Sequence, residues 1–261
     1  MTTPVTVERD GAVLLIGINR PDKRNAFNLA VIDALADAYQ RLGDDDSVRA
    51  GVLFGHGEHF SGGLDLAEVG PVVAEKGPEA IAGGKKYDPF GMWAPLVPKP
   101  VVMAVSGISL TLSIELALAS DVVVAADTVR FRQLEVARGI LPFGGATLRA
   151  PARLGWGNAM RYLLTAEEFG AAEALRIGLV QEVVPFGQHV TRARALAQLI
   201  AKQAPIGVRG TLSSARVYED RGHAAAIAHL KELLGQVMTS EDAAEGMVSF
   251  VERREAVFKG R

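Results

Sequence analysis

The chain has 261 residues, no cysteine, and 28 Lys+Arg against 30 Asp+Glu, a net charge of −2. Disulfides, thiolate metal sites and cysteine nucleophiles are therefore excluded, and the cysteine-free composition is compatible with a reducing cytoplasm. Nor does so balanced a charge supply the overall field that draws a protein onto nucleic acid or an anionic membrane.

The segment Met1 to Asp10 has neither the basic region nor the apolar run of a secretory signal, so the expectation is a protein that stays in the cytoplasm. Val5 to Glu8 and Ala12 to Ile18 flank Asp10-Gly11 and read as a hairpin. After the loop Asn19 to Ala26, Asn28 is placed to cap a helix whose apolar residues Leu29, Ile32, Leu35, Ala36, Tyr39 and Leu42 keep helical spacing to about Gly43. Val48 to Phe54 reads as a buried strand that ends in the Gly-rich turn 55–63, and this order of strand, helix and strand indicates a crossover α/β fold.

Residues 66 to 94, punctuated by Gly-Pro and Gly-Gly pairs, predict an irregular, mobile flap. Val101 to Ser120 has the length of a membrane span but carries Glu115 and is broken by Gly107; it predicts a strand over 101–105, a turn and a helix over 113–119. A strand follows at Val122 to Ala126. From about Leu148 helical patterns dominate, over 191–202, 205–218 and 223–237, and Gly210 and Gly222 are candidate helix ends. The division drawn from this is a core over residues 1–190 and a helical region over 191–261.

Three features carry chemistry. Glu115 stands in an otherwise apolar helix, where it is either a partnered acid–base carboxylate or a residue of the exposed first turn that favours the helix dipole. Glu135 lies between a strand and the turn 139–145; it either joins Glu115 across a pocket, one carboxylate accepting a proton while the other delivers one, or pairs on the surface with Arg132 or Arg138. The segments 60–65 and 110–113 each run from a strand into a helix start, where backbone N–H groups lack acceptors and two that converge can hold an oxyanion; alternatively Gly62 and Gly63 merely permit a turn that Asp65 caps. His56 and His59, without metal-site spacing, read as turn residues, and no serine has the nucleophile-elbow pattern.

The series Arg20-Pro21-Asp22-Lys23-Arg24-Asn25-Ala26, Phe60-Ser61-Gly62-Gly63-Leu64-Asp65-Leu66, Lys99 to Gly107, Glu115 to Asp121, Phe131 to Glu135, Gly139 to Pro142 and Ala171 to Val180 resembles the crotonase, or enoyl-CoA hydratase/isomerase, superfamily. The resemblance covers nearly the whole chain in order. It implies an α/β fold, a spiral of ββα units with a C-terminal helical region that makes homotrimers, often paired into hexamers. It further implies that the backbone N–H groups of Leu64 and Leu112 form an oxyanion hole for a thioester carbonyl. Glu115 is then the base towards water and Glu135 the donor to C2 of a trans-2-enoyl-CoA.

Coenzyme A enters as part of the acyl-CoA substrate, with no metal and no resident cofactor. The resemblance puts Lys23, Arg24, Ala26 and Gly62 against its pantetheine and adenine, and Phe258 and Lys259 against a neighbouring subunit's nucleotide. No nucleic acid or membrane partner is expected. Thr111-Leu112-Ser113 stands where hydratases of this family usually carry three glycines, Arg132 replaces a glycine, Leu134 a proline, and Phe143 the residue whose N–H often holds the water. Phe143, Met92 and Trp93 are candidates for shaping the acyl pocket, against the alternative of ordinary core packing. The activities that remain open are hydration, double-bond isomerisation, thioester hydrolysis and acyl-CoA binding without catalysis.

Overall fold

The computed structural model describes residues 3–261; Met1 and Thr2, at the head of the segment read for a secretory signal, lie outside them. Strands β1 (Val5–Asp10) and β2 (Val13–Ile18) form the hairpin, turning at Gly11 with φ +59°. Helix α1 (Leu29–Asp44) starts where Asn28 accepts from the Val31 N–H at 3.1 Å, and its apolar stripe buries Val31, Ile32, Leu35, Tyr39 and Leu42. The strands β3 (Ala50–Gly55), β4 (Val101–Val105) and β6 (Val122–Ala126) then align in parallel beside β2, and β9 (Glu182–Val184) extends the sheet in the order β1-β2-β3-β4-β6-β9.

Parallel strands covered on both faces read as unbroken apolar runs, and their side chains alternate between two cores. One face carries Leu14, Ile16, Leu53, Met103 and Val123 into the main core with α1. The other presents Val13, Val52, Val102 and Val124 to helix α7 (His189–Ala201), which answers with Ala193, Ala197 and Ala201 at every fourth position. Small residues at that spacing let the helix lie close on the sheet. Helix α7 is thus part of the core, so the division at residue 190 is corrected: the separate helical region starts after Ala201.

The span 101–120 is β4, β5 (Ile108–Leu110) and α3 (Leu112–Ala119), and no helix among the described residues is long and apolar enough to cross a membrane. Strand β5 belongs to a second, small sheet with β7 (Arg130–Arg132) and β8 (Phe169–Gly170). Residues 66–94 are more ordered than their glycines suggested. They hold helix α2 (Leu66–Lys76) and a 3-10 turn at Pro78–Ile81, and they are anchored by buried Val69, Ile81, Phe90 and Asp88.

Helices α4 (Ala146–Leu154), α5 (Trp156–Thr165) and α6 (Ala171–Arg176) lead to β9, and α8 (Pro205–Met238) and α9 (Glu241–Glu252) complete the chain. Gly222, at φ +76° and ψ −175°, breaks α8 into two helices, whereas Gly210 sits within the first of them. Enlarging the small seam under α7 should be costly. Ala197→Leu is expected to lower stability by about 1–3 kcal/mol through overpacking, read as a lower urea midpoint at unchanged slope.

Candidate active site

The functional segments follow the carboxyl ends of β3, β5 and β7, where loops leave the sheets and polar groups converge. Three polar side chains stitch them together. Asn25 donates to the carbonyls of His56 and His59 at 2.9 and 2.8 Å and accepts from the Arg20 N–H. Ser61 Oγ donates to the Asn25 carbonyl at 2.8 Å and accepts from the Gly63 N–H at 3.1 Å. Ser113 Oγ reaches the Ser61 carbonyl at 3.3 Å. A parallel bridge between Ser61 and Ser109 lays the two loops side by side.

This arrangement decides the direction of two N–H groups. Phe27 donates to the Gly63 carbonyl and accepts from the Asp65 N–H, so the intervening Leu64 N–H points away from Phe27 and has no acceptor among the described residues. Leu112 is the first residue of α3, and its N–H is likewise unpaired, as expected of a helix start. Both residues line one cavity of about 280 Å³, together with Gly62, Leu134, Glu135 and Phe143. Asp65 does not cap α2 with its side chain; its carboxylate pairs with Arg20 at 2.8 Å.

The close approach of the loops constrains Gly63 and Thr111. A Cβ on Gly63, at φ +88°, would lie 2.0 Å from Thr111 Oγ1. Thr111 itself is held at φ +50° and ψ −112° by its N–H bond to the Arg132 carbonyl at 3.0 Å. For a β-branched residue this backbone costs about 1–3 kcal/mol. A glycine would sit there without strain, so the departure of Thr111-Leu112-Ser113 from three glycines is felt first in the backbone.

Glu115 is 1% exposed. Its Oε1 accepts from the N–H groups of Gly144 at 2.8 Å and Ala146 at 3.1 Å, while Oε2 has no partner among the described residues. Ala146 opens α4, so the donors come from the positive end of α4 and not from Glu115's own helix. Gly144 is required by contact: a Cβ there would meet Glu115 Oε2 at 2.6 Å. Burial pushes the Glu115 carboxyl up to about 7, against the N–H bonds from Ala146 and Gly144 and the positive charge of Arg149.

Glu135 is 6% exposed at the head of the 3-10 turn Glu135–Arg138, and Gln133 Nε2 donates to its Oε1 at 3.0 Å, again leaving Oε2 unpaired. Burial first, then repulsion from Glu115, raises it to about 7 as well. The surface ion pairs considered for Glu135 are absent among the described residues: Arg132 donates instead to the Ala166 carbonyl at 2.6 Å, and Arg138 forms no ion pair.

Other candidates fall outside the cavity. Met92 and Trp93 do not line it. The fully buried Asp88 carboxylate accepts from the N–H groups of Phe90, Met92 and Trp93 and folds that loop, leaving Trp93 44% exposed and Met92 against a separate cavity beside Arg149 and Tyr218. Only Phe143 of the three faces the Glu135 cavity. Lys23 and Arg24 are exposed beside it, with the Arg24 carbonyl accepting from the Gly62 N–H at 2.7 Å, and the Ala26 carbonyl accepts from Arg20 at 3.1 Å.

Phe258 and Lys259 lie near the amino end of β3. Arg49, just before β3, donates to the Phe258 carbonyl at 2.6 Å, and the Lys259 N–H donates to Asp242. The turn histidines are engaged structurally, His56 with Thr6 Oγ1 at 2.8 Å and His59 Nδ1 accepting from the Ile108 N–H at 3.3 Å. Sequence reasoning missed Ser61, Ser113, Gln133 and Gly144 as site residues: Ser61, Ser113 and Gly144 act through bonds to partners far along the chain, and Gln133 through a side-chain bond to Glu135, two residues on.

The sequence model of the family described as enoyl-CoA hydratase/isomerase matches residues 8–261. The chain belongs to that family. A crystal structure of a probable enoyl-CoA hydratase/isomerase from Mycobacterium abscessus is 49% identical and superposes with a TM-score of 0.93 over 99% of each chain. The enoyl-CoA hydratase of Mycobacterium tuberculosis H37Rv is 34% identical, with a TM-score of 0.89 over the full length of both chains. A probable enoyl-CoA hydratase of Mycobacterium bovis is 33% identical over 259 residues, 98% of each chain. The crotonase-type α/β fold is therefore shared along the whole chain.

The two raised carboxyls make a stability prediction with a definite sign. Below the ordinary carboxylate value of 4.5, both the folded and unfolded chains hold the proton; above about 7, the folded chain must bury the charge. Stability should thus fall as pH rises from about 5 to 8, by on the order of 3 kcal/mol at most per group. Glu115→Gln should flatten that fall in urea denaturation at pH 5 and pH 8. Parallel curves for the two proteins would contradict the burial-driven shift.

Proposed function

We propose that this protein is an enoyl-CoA hydratase-type lyase that adds water across the C2=C3 bond of a trans-2-enoyl-CoA. The observation that carries this reading is the pair of buried carboxyls, Glu115 and Glu135, each with one oxygen held by protein donors and the other unpaired. A hydration needs one group to take a proton from water as it attacks C3 and another to deliver one to C2. Two carboxyls poised near 7 exchange protons at physiological pH. Family membership and hydratase-named relatives at about one-third identity support the same reaction.

In this reading the thioester oxygen sits between the Leu64 and Leu112 N–H groups, which stabilise the enolate charge that develops during attack. Glu115 Oε2 takes the water proton, with the Phe143 N–H, which has no acceptor among the described residues, as a further donor to that water. Glu135 Oε2 supplies the proton to C2. The CoA arm runs over Lys23, Arg24, Ala26 and Gly62, and Phe143 bounds the acyl group. CoA arrives with the substrate and leaves with the product, so no resident cofactor takes part.

Glu115→Gln and Glu135→Gln are each expected to lower kcat by about 100-fold or more while acyl-CoA still binds. The check is loss of the conjugated enoyl-thioester absorbance with purified protein, the product being verified by a mass gain of one water. Retained turnover in both variants would overturn the assignment. Double-bond migration or free CoA, in place of hydrated product, would establish the isomerase or hydrolase chemistry that the same oxyanion site supports.

Self-association belongs to the same proposal. In the single chain Ile227, Leu230, Leu234 and Met238 on α8, with Met247, Val248, Phe250 and Val251 on α9, expose apolar side chains to water. A face of this kind marks a surface that is covered by another protein. We assign it to copies of this chain in a homotrimer or a dimer of trimers in the cytoplasm, with Phe258 and Lys259 reaching a neighbour's nucleotide. Light scattering should give a trimer or hexamer mass, and Leu230→Glu with Leu234→Glu should shift it towards monomer.

A further inference from the structure

The cavity at Glu135 is walled by hydrocarbon, from Leu64, Leu66, Leu110, Leu112, Ile140 and Phe143, and yet one cation borders it, Arg138. Such walls select a hydrocarbon acyl group, and a guanidinium among them needs its own explanation. Of the other arginines near the site, Arg20 pairs with Asp65 and the Ala26 carbonyl, Arg132 with the Ala166 carbonyl and Arg149 with the carbonyls of Phe90 and Gly91, while Arg24 is exposed beside the cavity and is not part of its lining. Arg138 makes no ion pair and no side-chain hydrogen bond among the described residues. It is exposed to solvent, so its charge costs the fold little and remains available to a ligand.

Its position relative to the chemistry is set by the backbone. Glu135 and Arg138 begin and end the same 3-10 turn, and side chains three residues apart on such a turn eclipse one another. Both therefore border the same cavity, Arg138 one turn farther along. In the acyl-CoA reading, with the thioester oxygen at Leu64 and Leu112 and C2 at Glu135, the acyl carbons beyond C3 run on into the part of the cavity that Ile140, Phe143 and Arg138 border.

We propose that Arg138 is a specificity residue that recognises an anionic group at the far end of a short acyl chain, making an ω-carboxyl enoyl-CoA a preferred class of substrate. The proposal rests on the acyl-CoA reading above. A guanidinium meets a terminal carboxylate through two parallel N–H bonds, whereas a methyl end offers it nothing. The phosphates of CoA share this anionic chemistry and are the competing source, which the choice of ligands separates.

The test is calorimetric binding of two saturated, unreactive ligands of equal chain length, adipoyl-CoA and hexanoyl-CoA, to the wild-type protein and to Arg138→Gln and Arg138→Lys. Arg138→Gln should weaken adipoyl-CoA by about tenfold or more and leave hexanoyl-CoA within about twofold, with Arg138→Lys in between. The adipoyl-CoA preference should also shrink as salt rises. Equal weakening of both ligands would assign Arg138 to the CoA phosphates and overturn the proposal, as would no change in either. Failure of the wild type to bind both ligands would instead sink the acyl-CoA reading itself. Because Arg138 is exposed and unpaired, its variants are expected to fold, which circular dichroism of the same samples verifies.

Discussion

A buried carboxylate held at the start of a helix is the constraint on which this active site depends. Glu115 sits in the apolar helix α3, where an unpartnered charge would be expelled, and it is tolerated because Gly144 and Ala146 at the beginning of α4 turn their N–H groups onto Oε1. That clamp fixes α3 against α4 and excludes a side chain at residue 144. It also leaves the second oxygen free and desolvated. The same desolvation that weakens the fold at high pH brings the carboxyl to the range where a general base operates.

The second constraint is the seam between the loops after β3 and β5. Asn25, Ser61 and Ser113 bind backbone carbonyls of neighbouring loops, and the bridge from Ser61 to Ser109 sets their separation. The loops are pressed so closely that Gly63 has no room for a Cβ and Thr111 takes a backbone conformation that β-branched residues rarely adopt. Strain at this point adjoins Leu64 and Leu112, whose unpaired N–H groups are the donors proposed for the oxyanion. Preorganised donors do their work in this way, since their orientation cost is met during folding rather than during reaction.

The remainder of the chain supports these two arrangements. Helix α7 closes the outer face of the parallel sheet with alanines, and α1 closes the inner one with larger side chains. The helices α8 and α9 contribute few buried residues and expose an apolar face, the surface on which the proposed self-association rests. Phe258 and Lys259 are anchored by their backbone groups to Arg49, just before β3, and to Asp242.

Several elements were legible because their causes are local. The Asp10-Gly11 hairpin, the Asn28 cap, the strands 101–105 and 122–126 and the break at Gly222 follow from turn chemistry, capping and side-chain periodicity, and all are present. The family resemblance was likewise written in short ordered motifs. Local signals were weaker where tertiary contacts dominate. The glycines and prolines of 66–94 concealed helix α2, and the helical pattern of α7 did not reveal that it belongs to the sheet.

The sequence by itself determined the crossover α/β architecture, the helix and strand boundaries set by neighbouring residues, and the identity of the two unusual glutamates. Only the tertiary structure decided that Glu115 is held by α4 rather than exposed in its own first turn, and that Glu135 takes Gln133 and forms no ion pair with Arg132 or Arg138. It alone placed Phe143, and not Met92 or Trp93, beside Glu135. Capping and periodicity act over a few residues and are visible along the chain. Burial, desolvation and the direction of an unpaired N–H depend on groups that meet only after the chain has folded.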